Sequence, residues 1–341
     1  MSNETRRFHV AVVGATGAVG QTMLSILAER QFPVGKLSVL ASARSAGNTI
    51  EFNGEKITIE DLANFDPTGV EIALFSAGGG ISKEYAPKFA AAGAVVIDNS
   101  SSFRYDDDVP LVVSEVNPEA AKHRPRGIIA NPTCSTMQLM PVLAPIHREY
   151  GIERINVATY QSVSGAGQSG MEELGKQTAQ LLGFQEIEPT KFPMQIAFNL
   201  IPHIDEFLDN GFTKEEMKLV WETRKILGDD SIQVNPTAVR VPVFYGHSEA
   251  VNIETQKKIT TEQARELLVT APGVKVVDER KAGGYPTPVT HASGTDPVYV
   301  GRVRDDLSHE NGLNLWIVAD NIRKGAALNA VQVAELVANG G

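Results

Sequence analysis

Short, almost unbroken apolar runs alternate with amphipathic stretches over the first part of the chain. Phe8–Val13, Leu37–Ala41, Glu71–Ser76, Ala94–Asp98 and Gly127–Ala130 read as strands, with helices at Val19–Glu29 and Ser82–Ala92. Strands that are apolar on both sides, with helices between them, predict a parallel sheet covered on both faces. The pattern changes after about residue 150. Arg154–Tyr160, Ala238–Phe244 and Val298–Val303 alternate polar and apolar residues, Leu313–Ala319 adds another strand, and loops rich in Pro and Gly separate them. Such alternation predicts a mainly antiparallel sheet with one packed face and one that lines a site or interface. The last segment, Lys324–Val337, reads as an Ala-rich amphipathic helix returning to the first domain. The expected division is an α/β domain at 1–130, completed by 324–341, and an α+β domain at 131–323.

A length of 341 residues suits two domains, each with its own core. The net charge of −10 argues against a nucleic-acid partner, whose phosphates require a clustered basic face. No run reaches the roughly eighteen apolar residues of a membrane span. The apolar stretch Val10–Val13 after the polar Met1–Arg7 is too short for a signal peptide, so the cytoplasm is expected. There is one cysteine, Cys134, which rules out an internal disulfide framework and a multi-cysteine metal site. It is either a small buried hydrophobe or a nucleophile.

Gly14-Ala15-Thr16-Gly17-Ala18-Val19-Gly20 follows one predicted strand and opens a predicted helix. Glycines there allow a tight turn and let backbone N–H groups approach a pyrophosphate at the positive helix end, as in a Rossmann-type dinucleotide site. Gly165-Ala166-Gly167-Gln168-Ser169-Gly170 has the same literal spacing, but no second apolar strand follows its helix. It reads as a loop of close backbone approach. The second strand ends in Ala41-Ser42-Ala43-Arg44-Ser45, without the acid that holds the ribose hydroxyl of NAD. An arginine between two hydroxyls offers donors to the 2′-phosphate of NADP; the alternative is a solvated loop arginine.

Asn131-Pro132-Thr133-Cys134 lies between a strand and the helical stretch Met137–Tyr150, which Pro141 and Pro145 should bend or shorten. That places Cys134 in a first helical turn, where unsatisfied N–H groups favour a thiolate and can meet an oxyanion on an attacked carbonyl.

With these strings assembled, the chain resembles the aspartate-β-semialdehyde dehydrogenase family along essentially its whole length. The shared segments are GATGAVG (14–20), LASARSAG (40–47), DNSSSFR (98–104), NPTCST (131–136), YQSVSGAG (160–167), EEMK (215–218), RVPVFYGHSE (240–249) and ADNIRKGAALNAVQ (319–332). The resemblance implies that Cys134 carries a thioester formed from aspartate semialdehyde or aspartyl-4-phosphate, that NADP exchanges hydride and that inorganic phosphate is the other reactant. No metal is implied. His247 would be the acid/base, Gln161 would orient the substrate, Arg240 would grip its carboxylate, and Arg104 and Lys218 would bind phosphate. Glu215 would hold the substrate ammonium, although Glu216 stands next to it. Ser76, Ala77, Gly78, Ser164, Gly165 and Asn321 are expected to border the cofactor along with the glycine loop, and Asn131 is a further site residue. The resemblance also implies a homodimer formed through the second domain's sheet. The nearest alternative of the same chemistry is an N-acetyl-glutamyl-phosphate reductase, in which an acid aimed at an ammonium would have no purpose.

Overall fold

The computed structural model describes residues 6–340. By its contacts the chain forms two compact units, Met1–Pro132 with Ala326–Gly341, and Thr133–Gly325.

The first unit is built on a seven-stranded sheet. Its strands are β1 (Phe8–Val13), β2 (Val34–Ala41), β3 (Thr49–Phe52), β4 (Glu55–Asp61), β5 (Ile72–Phe75), β6 (Val95–Asp98) and β7 (Ile128–Ala130), in the spatial order β3-β4-β2-β1-β5-β6-β7. Every neighbouring pair is parallel except β3 with β4. That hairpin was not anticipated, although its turn, Asn53-Gly54, carries the usual signal: both residues have positive φ, as a tight two-residue turn requires. Helices α1 (Ala18–Glu29) and α2 (Gly79–Ala91) follow β1 and β5. The C-terminal helix begins at Leu328 rather than Lys324, because a turn of π-helix occupies Arg323–Ala327. It packs Leu328, Val331 and Ala334 into the same core as Met23 and Leu27 of α1, and Glu335 pairs with Arg30 at 2.7 Å.

The second unit has helices α3 (Cys134–Tyr150), α4 (Gln168–Leu182), α5 (Lys214–Leu227) and α6 (Thr261–Val269). Its six strands are β8 (Ile152–Gln161), β9 (Gln233–Arg240), β10 (His247–Thr255), β11 (Val274–Val276), β12 (Val298–Asp305) and β13 (Gly312–Ala319). The order is β11-β12-β13-β10-β8-β9, antiparallel across the middle and parallel at both edges. Two expectations are corrected. The strand placed at Ala238–Phe244 lies at Gln233–Arg240; Pro236 is tolerated because β9 is an edge strand, and Pro242 falls outside it. Helix α3 runs seventeen residues through both Pro141 and Pro145, so neither shortens it. One face of this sheet carries a transverse row of amides, Asn235, Asn156, Asn252 and Asn314, on four adjacent strands in register.

Candidate active site

In the first unit the end of β1 turns sharply into α1. Gly14 has φ +83°, and a Cβ on it would lie 2.8 Å from Ala77 N; a Cβ on Gly20 would lie 2.3 Å from the Gly14 carbonyl oxygen. Only glycine fits at either place. Beside this turn is a cleft of about 470 Å³ lined by Gly14, Thr16, Gly17, Ser42, Ser76 and Ala77, among others. Gly78, also at positive φ, precedes α2. Arg44 is exposed on the turn that leaves β2. Asp61 also lines the cleft, but its carboxylate is occupied with Ala63 N–H and Asn64 Nδ2. The cleft suits a dinucleotide: glycines without side chains in the way, at the N-terminal end of a helix. Arg104 is buried, and its Nη2 donates to the Asn99 carbonyl at 3.0 Å. Asn131 is fully buried between Asn99 Oδ1, the Ala326 carbonyl and Asn329, in hydrogen bonds that hold the chain as it leaves β7.

The remaining candidates stand in the second unit. Cys134 is the first residue of α3, with Thr133 as the N-cap in extended conformation. A Cβ on Gly325 would lie 2.7 Å from the Cys134 Cβ and 3.6 Å from the Asn321 Cβ, so backbone without a side chain closes one flank of Cys134. Asn321 Oδ1 accepts from Ser162 Oγ at 3.0 Å, from Ser164 Oγ at 3.2 Å and from Gly246 N–H at 2.9 Å.

Three candidates form one transverse row on the helix-covered face of the sheet. Gln161 pairs with Arg240 across β8 and β9, and the Tyr160–Ser248 pair sets His247 on the other side of Gln161. His247 is fully buried. The backbone N–H of Ser162 donates to its Nδ1 at 3.1 Å, so the proton of the neutral ring is on Nε2, which has no hydrogen-bond partner among the described residues. Burial, then the charge of Arg240, pushes its pKa well below 6.5. Arg240 Nη1 donates to the Ser162 carbonyl at 2.7 Å; burial lowers its pKa, opposed by the charges of Glu215 and Cys134. Gly165 gives both residues room, since a Cβ there would lie 3.0 Å from Arg240 Nη1 and 3.4 Å from His247 Nε2. That is the close backbone approach expected of the 165–170 loop.

Helix α5 separates the two adjacent acids. Glu216 completes a capping box with Thr213 and accepts the Ala238 N–H at 2.9 Å, so it is spent on structure. Glu215 turns inward, accepting from Gln161 Nε2 at 3.1 Å and from Lys218 Nζ at 2.9 Å. Burial would raise the Glu215 pKa, but the Lys218 charge and these hydrogen bonds bring it below 4.5. Lys218 is resisted by its own burial, yet Glu215 and Asp205 push it up to about 12. Asp205, 2.9 Å from Lys218 Nζ, had no signal in the sequence.

Glu249, two residues along β10 from His247, is fully buried, and among the described residues neither carboxyl oxygen has a partner of hydrogen-bonding geometry. Burial raises its pKa well above 4.5, against a weaker opposing pull from Gln138. The folded acid therefore holds its proton more tightly than the unfolded one. Stability is lost as pH climbs from the unfolded value towards the higher folded one. Glu249→Gln removes that ionisation with little change of shape. Calorimetry should show the variant melting a few degrees above the parent at pH 8, with the gap closing towards pH 4.5. A gap that widens on acidification would mean a charged Glu249.

Residues 9–124 match the family model described as semialdehyde dehydrogenase, NAD binding domain, and residues 143–324 match semialdehyde dehydrogenase, dimerisation domain. The chain is 59% identical over 337 residues to an aspartate-semialdehyde dehydrogenase of Legionella pneumophila, covering 98% of this chain and 96% of that one. It is 58% identical over 334 residues to that of Shewanella violacea, covering 98% of both. A crystal structure of aspartate semialdehyde dehydrogenase II from Vibrio cholerae, complexed with ASA, superposes with a TM-score of 0.96 at 58% identity, covering 98% of this chain and 99% of that one. Two family models that together span most of the sequence, and relatives matched nearly end to end, place it: this chain belongs to the aspartate-semialdehyde dehydrogenase family.

Proposed function

We propose that this oxidoreductase interconverts aspartyl-4-phosphate and aspartate-4-semialdehyde through a thioester on Cys134, with NADP as the dissociable hydride carrier. The observation that carries the reading is the sole cysteine at the first position of α3 in the unit that also sets Arg240, Gln161 and His247 in one row. The Gly14–Gly20 turn with Ser42, Arg44, Ser45 and the 76–78 segment would hold NADP, which would supply hydride in the biosynthetic direction and accept it in the other.

The chain's own residues do the rest. Cys134 Sγ attacks C4 of the acyl phosphate, and the C–O bond to phosphate breaks; Arg104 and Lys218 hold the departing phosphate. Arg240 forks onto the α-carboxylate, Glu215 receives the ammonium, and Gln161 orients C4. Once hydride has reached C4, His247 Nε2–H stabilises the oxygen of the tetrahedral species, whose collapse expels the thiolate and leaves the aldehyde. In the reverse direction the Cys134 thiolate attacks the aldehyde carbon, and the same Nε2–H donates to the oxygen as it gains charge. The low pKa of the buried ring supports a neutral His247 at rest, with Nδ1 held by Ser162 N–H and Nε2–H free to meet that oxygen in both directions.

The amide row on the opposite sheet face supports a homodimer joined there, because amides are self-complementary across a twofold axis. Among the described residues no helix is long and apolar enough to cross a membrane, and a cytoplasmic setting in the synthesis of lysine through diaminopimelate, threonine, methionine and isoleucine fits the proposed chemistry.

The test is NADPH formation from aspartate semialdehyde. It should require inorganic phosphate, favour NADP over NAD by at least tenfold and fail with N-acetylglutamate semialdehyde. Turnover without phosphate would replace the mechanism, equal use of NAD would remove the role of Arg44, and preference for the acetylated substrate would favour the reductase alternative.

A further inference from the structure

Both neighbours of Cys134 are tied to one helix. On the C-terminal side, Ser135 Oγ accepts from Gln161 Nε2 at 2.8 Å, and Gln161 in turn meets Glu215 of α5. On the N-terminal side, the Thr133 N–H donates to Glu222 Oε2 at 2.7 Å, and Glu222 is fully buried. Glu215, Lys218 and Glu222 recur at helical spacing along one face of α5. The face proposed to receive substrate therefore also grips the backbone that delivers the sulfur.

We propose that Glu222 is a positioning residue for the nucleophile: its carboxyl oxygen fixes the backbone entering α3, and thereby the place of Cys134 Sγ and the exposure of the first-turn N–H groups to it. The inference rests on Cys134 being the nucleophile. The physical ground is that the N-cap N–H has no intrahelical acceptor and, buried, must find one elsewhere. Without it the first turn frays. A displacement of about 1 Å at an attacking atom costs on the order of a hundredfold in rate.

Three variants separate this role from mere support. Glu222→Gln keeps an acceptor, Glu222→Ala removes it, and Glu222→Asp draws it back by one methylene. Gln and Ala are both uncharged, so a difference between them does not come from charge, and Glu222→Asp, which keeps the charge and most of the volume, separates the acceptor's position from the cavity that Ala leaves. Glu222→Gln should retain kcat within about fivefold. Glu222→Ala and Glu222→Asp should lose about 10- to 100-fold in kcat, with KM for the semialdehyde within about threefold. Because Cys134 is the sole cysteine, iodoacetamide reads its thiolate directly. The alkylation profile of Glu222→Ala should lie at higher pH than that of Glu222→Gln, since a frayed turn supports the anion less.

Equal alkylation profiles and equal kcat in folded Gln and Ala variants would overturn the proposal, as would a loss seen only in KM. Should Glu222→Ala fail to fold, Glu222→Asp against Glu222→Gln decides by the same measures. Alkylation needs no substrate, so these outcomes stand apart from the reaction itself; full activity in a Cys134→Ser enzyme is what would remove the underlying reading.

Discussion

A Cys134→Ser enzyme that folds like the parent should lose at least about a thousandfold in kcat/KM for aspartate semialdehyde. The serine hydroxyl fits the same space, so binding at Arg240 and Glu215 should persist and KM should change little. What fails is ionisation. First-turn N–H groups of the kind that open α3 favour a thiolate, but an alkoxide lies far outside what they can stabilise. Without the thiolate no thioester forms. Steady-state NADPH formation measures the loss, and mass spectrometry of the parent after mixing with aspartyl phosphate alone should find the acyl group on Cys134. Parent-level turnover by the serine variant would remove the covalent route.

The second large effect belongs to Arg240. Replacing it by Leu should cost about a hundredfold to a thousandfold in kcat/KM, as truncating one member of a buried charge pair costs several kcal/mol. Beyond its proposed grip on the substrate, the charge acts on a neighbour. It is the second cause, after burial, of the low His247 pKa. Its removal lets that pKa rise towards 6.5, so the acidic limb of the kcat profile should move to higher pH in Arg240→Leu. Arg240→Lys keeps the charge but loses the planar fork. It should share the loss in kcat/KM while its acidic limb stays where the parent's lies. A limb that does not move in Arg240→Leu would show that another group sets the profile.

The first sheet was largely legible, because strands buried on both faces leave unbroken apolar runs: Phe8–Val13 stands where its pattern put it. The Asn53-Gly54 hairpin escaped because its strands are half polar and lie at the sheet edge, where burial writes little into the sequence. In the second unit the alternation of 154–160 and 298–303 and the apolar run 313–319 were readable, whereas β10 was hidden: a central strand that carries His247 and Glu249 inward looks polar. Local context placed Cys134 at a helix start. The partners of that helix start were another matter. Glu222, Asp205 and Ser162 meet the site from distant parts of the chain, and no spacing rule foretells a contact across 89 residues. Only the fold brings Glu222 to Thr133. Spacing to Lys218 favours Glu215 over Glu216 in the sequence; the fold adds that Glu216 is occupied by the capping box with Thr213 while Glu215 faces Gln161 and Lys218.

The row formed by Arg240, Gln161 and His247 has one more consequence. These side chains do not rise from loops but from three neighbouring strands of one ladder. Adjacent strands stand about 4.8 Å apart, which puts the outer two roots roughly 9–10 Å from each other. The sheet is thus a fixed gauge whose divisions are peptide hydrogen bonds. Side-chain exchange can alter what stands at each mark, but not the interval between marks.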